Sequence, residues 1–432
     1  MDTSESDTEA REKDEPSAPP AQRRGRRRWA MDTRPLSRPA YRRLWSSTIV
    51  TAVGSQLTAV AVPKQIYDIT GSSAWVGAAS LAGLLPLVVF ALWGGAIADA
   101  MDRRKLLLIT NIGIAVTSVL FWLQAVTGLE SVGTLMVLLA VQQAFWGLNS
   151  PARSASIARL VPAHELPAAN ALGSTVMQTG QVLGPLLAGV LIPVIGLAEL
   201  YLIDALALCV TVWAVARLPA LPPLAAGRRR AGIREIAEGF RYIALHQVLL
   251  LSFLADIIAM VFGMPRALFP QLASQTYAPY GEGLALGLLF AAIPIGAVAG
   301  GLFSGTFSRA RRHGWMLIGA VVAWGAAITG FGLSGSLWLA VAFLALAGIA
   351  DMVSMVFRGA ILLSAADDEM RGRMQGVFTV VVAGGPRLAD VLHGTAGSAF
   401  GARTATAGGG LLVVVLMLVL AAAVPALRRY RV

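Results

Sequence analysis

Charge is what this sequence has least of. Asp, Glu, Lys and Arg make up 14% of its 432 residues, where soluble domains carry roughly 25%. That deficit excludes a soluble enzyme and an ordinary peripheral protein. Cysteine is nearly absent. With Cys209 alone, no intrachain disulfide can form, and the redox compartment stays open. Four histidines and that one cysteine are scattered without zinc-ligand spacing, so no metal site is expected. No G-x-x-x-x-G-K-S/T stretch occurs, which excludes a P-loop for ATP within this chain. The glycines at 408–410 open an apolar run with no strand before them and make no dinucleotide site. Neither a cofactor nor an enzymatic nucleophile–base constellation is expected. The first forty residues are too charged to contain the apolar core of a cleavable signal peptide.

What is present is apolar length. Hydrophobic residues make up 56% of the chain, and a spanning helix needs about 20 of them in succession. Six such stretches are read at 44–66, 74–98, 106–126, 133–152, 168–195 and 199–216. Six more follow at 247–271, 283–305, 314–333, 336–362, 374–399 and 405–426. The expected architecture is therefore an all-α integral membrane protein of twelve transmembrane helices. Residues 1–40 form a polar, basic tail too poor in apolar residues to fold alone. Its arginine run, Arg23 to Arg28, suits anionic lipid headgroups; nucleic acid is not an expected partner, because no binding module follows. The first six-helix bundle is expected over 41–216, a linker over 217–246, the second bundle over 247–427, and a basic tail over 428–432.

The arginines give an orientation. Arg23 to Arg43, Arg103-Arg104-Lys105, Arg153, Arg159, the linker arginines, Arg309/Arg311/Arg312, Arg371/Arg373 and Arg428/Arg429/Arg431 all fall on one side of a twelve-span topology. The other side has Arg403, with Lys64 and Arg266 near helix ends. By the positive-inside rule, both termini are expected in the cytoplasm. The halves also resemble each other. Gly94-Gly95 with Arg103 corresponds to Gly300-Gly301 with Arg309, and Arg153 before Glu165 corresponds to Arg358 before Glu369, about 205 residues later. Such a repeat implies two bundles related by a pseudo-two-fold axis along the membrane normal, with a site between them near the midplane.

Several motifs carry a family resemblance. Gly95-Ala-Ile-Ala-Asp99-Ala-Met-Asp102-Arg103-Arg104, between spans 2 and 3, is similar to the signature loop of the major facilitator superfamily, G-x-x-x-D-R/K-x-G-R-R/K. It departs at Ala100 and at Asp102, where the family has a base and a glycine. The resemblance implies an inner gate latch in which Asp99 faces a helix N-terminus and the arginines pair across the gate. The rival reading is a basic loop that only sets topology. In span 5, Gly180, Gly184-Pro185 and Gly189 resemble the antiporter motif of exporter-type members, which implies export. Small residues at that spacing would also serve an ordinary close helix contact. Longer stretches, including Asp68-x-Thr70-Gly71-Ser72 and Asp351-x-x-Ser354-x-x-x-Arg358, resemble the bacterial branch of enterobactin-type siderophore exporters and macrolide efflux proteins. A secondary active exporter of a small amphipathic molecule in the plasma (inner) membrane is implied, with a catecholate siderophore as leading cargo and protons as coupling ion. A multidrug or macrolide pump of the same fold is the alternative. A non-transporting sensor or scaffold is a third reading, in which Asp99 would be replaceable without loss of function.

Ionisable groups at membrane depth are functional candidates by default. Asp256 in span 7, Asp351 in span 10 and Asp390 in span 11 are candidate proton-coupling carboxylates. Asp256 has no base within one helical turn. Arg358 and Arg387 are candidate ion-pair partners, for Asp351 two turns away and for Asp390 three residues away on one face. Under that second reading the pairs are structural. His393, one turn past Asp390, is either a proton relay or a hydrogen-bonded structural group. Gln56, Gln142, Gln143 and Gln178, with Trp146, are candidate substrate-path residues for an aromatic cargo. Interhelical hydrogen bonding explains the glutamines equally well, at about 0.6 kcal/mol each.

Overall fold

A computed structural model describes residues 31–223, 233–307, 310, 312–365 and 370–430. Among the described residues there are twelve long helices. They are α1 (Pro39–Thr70), α2 (Ser73–Ala100), α3 (Arg103–Val126) and α4 (Val132–Leu160). The continuous run Leu166–Ala216 is two helices, α5 (166–195) and α6 (197–216), because Gly196 breaks it at φ 87°. A residue with a side chain rarely adopts that conformation, so glycine fits the corner. The second half has α7 (Gln247–Gly263), α8 (Glu282–Leu302), α9 (His313–Leu333), α10 (Leu337–Ala365), α11 (Arg371–Phe400) and α12 (Ala402–Ala423). Helices satisfy their own backbone groups, which hydrocarbon cannot do.

Most of these helices are apolar enough to cross a membrane by composition alone; α1 and α11 are not among them. Those two carry polar side chains into the centre, as described below. The linker read at 217–246 also contains a helix, Ile233–Leu245. Its Ile243 is buried, while Phe240 and Leu245 are exposed.

Helix pairing repeats between halves. In the first bundle α2 packs on α4 and α3 on α6; in the second, α8 packs on α10 and α9 on α12. The glycines of the sequence repeat make the corresponding contacts. A Cβ on Gly94 would lie 3.0 Å from Leu148 Cα of α4, and one on Gly300 would lie 3.2 Å from Ile349 Cα of α10. Neither helix can approach its neighbour so closely with a side chain in the way. Across the boundary, α5 meets α8 and α2 meets α11, which are again corresponding pairs. The two-bundle, pseudo-symmetric fold expected from the sequence is the observed one.

The bundles converge at the end opposite the termini. A Cβ on Gly189 of α5 would sit 2.7 Å from the Gly283 carbonyl of α8, and Gly394 of α11 seats on the Ser73 backbone of α2. Side chains add to this closure. Lys64 Nζ bonds Asp68 at 2.6 Å on its own helix and Glu282 of α8 at 3.0 Å. Ser73 Oγ donates to Gln271 Oε1 at 2.7 Å, and Gln275 Nε2 donates to the Tyr67 hydroxyl at 3.0 Å. The described side-chain bonds between the bundles lie at this end or between the two bundles further in, at Ser80, Gln143, Arg387 and Asp390.

Candidate functional site

A cavity of about 470 Å³ lies between the bundles. It is lined by residues from eight of the helices and from the segment after α7. Its first-bundle wall includes Gln56 of α1, Ser80 of α2, Gln142, Gln143 and Trp146 of α4, and Asp204 of α6. Its second-bundle wall includes Arg266 after α7, Phe290 of α8, and Pro386, Arg387 and Asp390 of α11. Two acids, two bases and several amides and hydroxyls thus face a space whose remaining wall is apolar and aromatic, the mix expected of a small-molecule site.

The charged groups of α11 reach across the boundary. Arg387 Nη2 donates to Gln143 Oε1 at 3.1 Å, and Ser80 Oγ donates to Asp390 Oδ2 at 2.7 Å. The sequence expectation that Arg387 and Asp390 pair with each other is corrected here: no ion pair joins them among the described contacts. Helical spacing put both on one face, but α2 and α4 offer nearer partners from the other bundle. Asp390 Oδ1 is buried without a partner. Arg266 holds its guanidinium 5.9 Å from the centre of the Phe290 ring, a cation–π arrangement that orients it along the second-bundle wall.

The expected Asp351–Arg358 pair is likewise corrected. Arg358 of α10 forms its ion pair with Asp256 of α7, and both side chains are buried. Asp351 shares only the longer-range field of that guanidinium. Asp256 thus has a base beside it, 102 positions away in sequence and invisible to a helical-turn argument. Arg358 also stacks 5.5 Å above the Phe378 ring of α11. None of Asp256, Asp351 and Arg358 lines the cavity. The three make a polar cluster inside the second bundle.

Of the glutamines and tryptophan expected along the path, Gln56, Gln142, Gln143 and Trp146 line the cavity. Gln178 does not; it is exposed, and its neighbour Met177 takes the lining position. His393 is 2% exposed, and its Nε2 lies 3.0 Å from the Phe262 carbonyl, a structural arrangement.

The antiporter-type glycines divide between two partners. A Cβ on Gly180 would be 3.0 Å from Ala52 of α1, and Gly184 seats on Gln56 of the same helix. Gly189 faces α8 across the bundle boundary, and Pro185 is buried between these positions. The signature loop is partly described. Asp102 caps α3, accepting from the Arg104 backbone N–H at 2.8 Å and from Leu221 N–H at 3.2 Å. A glycine there could do neither, so the departure from the family pattern supplies a helix cap. Arg104 donates to the Ala216 carbonyl at 2.5 Å and Arg103 to the Ala98 carbonyl at 3.4 Å. Gly95 and Asp99 lie outside the residues whose side chains are described, as does the acidic run 367–369.

Sequence reasoning missed Asp204 of α6. It is 2% exposed and accepts from Thr58 Oγ1 at 2.8 Å and Ser118 Oγ at 2.9 Å, both on Oδ2. The signal was there: an aspartate interrupts the apolar run Tyr201-Leu-Ile-Asp204-Ala-Leu-Ala. The sequence marks Arg266 only as a charge near a helix end.

Residues 30–430 match the family model described as transmembrane secretion effector. The chain belongs to that family, within the major facilitator superfamily of membrane transporters. Among curated relatives it is 28% identical to the enterobactin exporter EntS of Citrobacter koseri over 375 residues, 86% of this chain and 89% of that one. It is also 28% identical to the same exporter of Shigella boydii serotype 18, over 83% of this chain and 86% of that one. Solved structures support the fold. A D323A mutant of the nucleoside transporter NupG has a TM-score of 0.74 at 13% identity, over 89% of this chain and 99% of that one. A bacterial homolog of the human lysosomal transporter Spinster, inward-facing and unoccupied, has a TM-score of 0.67 at 17% identity, covering 91% and 96%.

Proposed function

We propose that this transporter is an inner-membrane exporter of a catecholate-type siderophore, driven by proton antiport through alternating access. The observation that carries the reading is the composition of the cavity wall. Arg266 and Arg387 offer guanidiniums to acidic catechol oxygens, Gln56, Gln142 and Gln143 offer amides to carbonyl and hydroxyl groups, and Trp146 and Phe290 offer aromatic faces. The 28% identity to enterobactin exporters over most of the chain supports the same cargo class. With the basic segments cytoplasmic, as their distribution predicts, the described contacts between bundles close the outer end, and the cytoplasmic end is the one through which an exporter loads. Proton coupling falls to a carboxylate that both cargo and solvent reach in turn. Of Asp256, Asp351 and Asp390, only Asp390 lines the cavity, and it is the favoured one of the three. The signature loop, with Asp99, Asp102, Arg103 and Arg104, is the latch at the cytoplasmic end.

The test is efflux from cells lacking their own exporters, comparing a catecholate siderophore with a macrolide, with and without a protonophore. Catecholate export that collapses with the protonophore, and with Arg387→Gln, supports the proposal. Protonophore-sensitive macrolide export without catecholate export replaces the cargo and keeps the mechanism. Export of either compound that is untouched by the protonophore refutes the coupling.

A further inference from the structure

Asp204 belongs to the first bundle, far in sequence from every acid discussed above as a coupling group, and its surroundings are unusual. One carboxylate oxygen holds two hydroxyl donors, Thr58 of α1 at 2.8 Å and Ser118 of α3 at 2.9 Å. The other, Oδ1, is buried and has no hydrogen-bond partner. It points at α1, where a Cβ on Gly54 would lie 2.8 Å away, so glycine keeps that space open. An ionised carboxylate buried with one oxygen bare loses solvation that nothing replaces. Among the described residues, no charged side chain pairs with it. The groups facing it from α1, α3 and α4 are Thr58, Ser118 and, through Ser118, Gln142. Tyr201, one turn earlier on α6, commits its hydroxyl to Gln65 at 2.8 Å. The nearest cavity charges, Arg266, Arg387 and Asp390, stand on the opposite bundle.

The site also has a connection to the cavity. Gln142 lines it and donates from Nε2 to Ser118 Oγ at 3.2 Å, while that hydroxyl donates to Asp204. A cargo acceptor that takes the Gln142 N–H removes a donor from Ser118 and so changes the bond received by the carboxylate. We infer that Asp204 is a proton-binding site of the first bundle, and that cargo at Gln142 acts on it through Ser118. The step is a proton transfer alone: a proton from the outer solution adds to the bare oxygen of Asp204, and is released to the inner side when the bundle reopens there. The inference rests on the proton-antiport reading above and adds to it the residue that carries a proton in the first bundle.

Two measurements on the full-length protein in lipid test it. The first needs no cargo: infrared difference spectra between acid and alkaline pH, on wild type, Asp204→Asn and Asp390→Asn. Asparagine keeps an acceptor for Thr58 and Ser118, so the fold is retained, which a monodisperse gel-filtration profile verifies. The expected result is a pH-dependent protonated-carboxyl component that is lost in Asp204→Asn and remains in Asp390→Asn, which loses a component of its own if it too carries a proton. An unchanged band in Asp204→Asn overturns the inference. The second measures pH-gradient-driven movement of a catecholate siderophore in liposomes, beside cargo-for-cargo counterflow without a gradient. Asparagine takes up no proton there, so Asp204→Asn should lose gradient-driven transport and keep counterflow. Driven transport at the wild-type rate overturns the inference. If wild type moves no catecholate, the cargo reading fails, and the infrared result still decides Asp204.

Discussion

Gln143 of α4 accepts a hydrogen bond from Arg387 of α11 at 3.1 Å, joining the two bundles at the level of the cavity. Its sequence neighbour Gln142 turns the other way and donates to Ser118 inside the first bundle. Two adjacent amides thus line one cavity and bond into different bundles.

Gln143→Leu should leave the Arg387 guanidinium short of an acceptor beside a partly apolar space. A bond to a charged group contributes about 1.5–3 kcal/mol, so catecholate transport should fall about tenfold or more. The loss should appear in KM where Arg387 grips cargo, and in kcat where the bond serves the conformational change. Transport kinetics in liposomes separate the two.

The Lys64–Glu282 pair closes the end opposite the termini, the outer end under the orientation proposed above, and only Glu282 belongs to the second bundle. Glu282→Gln leaves Lys64 its Asp68 partner and removes the cross-bundle charge. Exposed pairs are worth up to about 1 kcal/mol, and Glu282 is partly exposed. The outward-open population should therefore rise, by about fivefold at most. Spin-label distances between α1 and α8 across the outer end measure it.

Gly189→Leu should be more drastic. A bare Cβ there already reaches 2.7 Å from the Gly283 carbonyl, so a leucine holds α5 and α8 apart. The expected outcome is a folded, membrane-inserted protein that cannot close outside. It should be inactive in efflux, and a cysteine introduced at the cavity residue Ala59 should stay reactive to thiol reagents from the side that Gly189 normally closes.

Asp256→Leu alone should strand a buried guanidinium and cost about 3–5 kcal/mol, whereas Asp256→Leu with Arg358→Leu should recover most of that. Thermal unfolding in detergent gives the comparison. If the recovered double variant still exports, Asp256 is structural. If it is stable and inert, Asp256 takes part in coupling.

Much of this architecture is legible in the sequence because hydrocarbon imposes simple rules. Long apolar runs, a basic side and paired glycines led to twelve helices in two bundles, and Gly94 and Gly300 make matching contacts. Partner choice was harder to read. Arg358 and Asp351 are neighbours on a helix, yet the ion pair forms with Asp256, because a buried guanidinium takes the carboxylate that packing brings to its head. Arg387 and Asp390 went the same way, toward Gln143 and Ser80. Helical spacing constrains which residues share a face; it says nothing of what the next helix presents there. Gln178 shows a further limit: its neighbour Met177 lines the cavity and it does not, a distinction the apolar pattern of the helix does not carry.

The outer closure has one further consequence. Gly189 against Gly283 and Gly287, and Gly77 and Gly394 between α2 and α11, hold the bundles together backbone to backbone. Such contacts draw on dispersion, which does not respond to dissolved salt, whereas ion pairs at an exposed surface weaken as salt rises. The outer seal should therefore hold almost equally well in dilute fresh water and in brine, leaving Lys64 and Glu282 to trim how easily it parts.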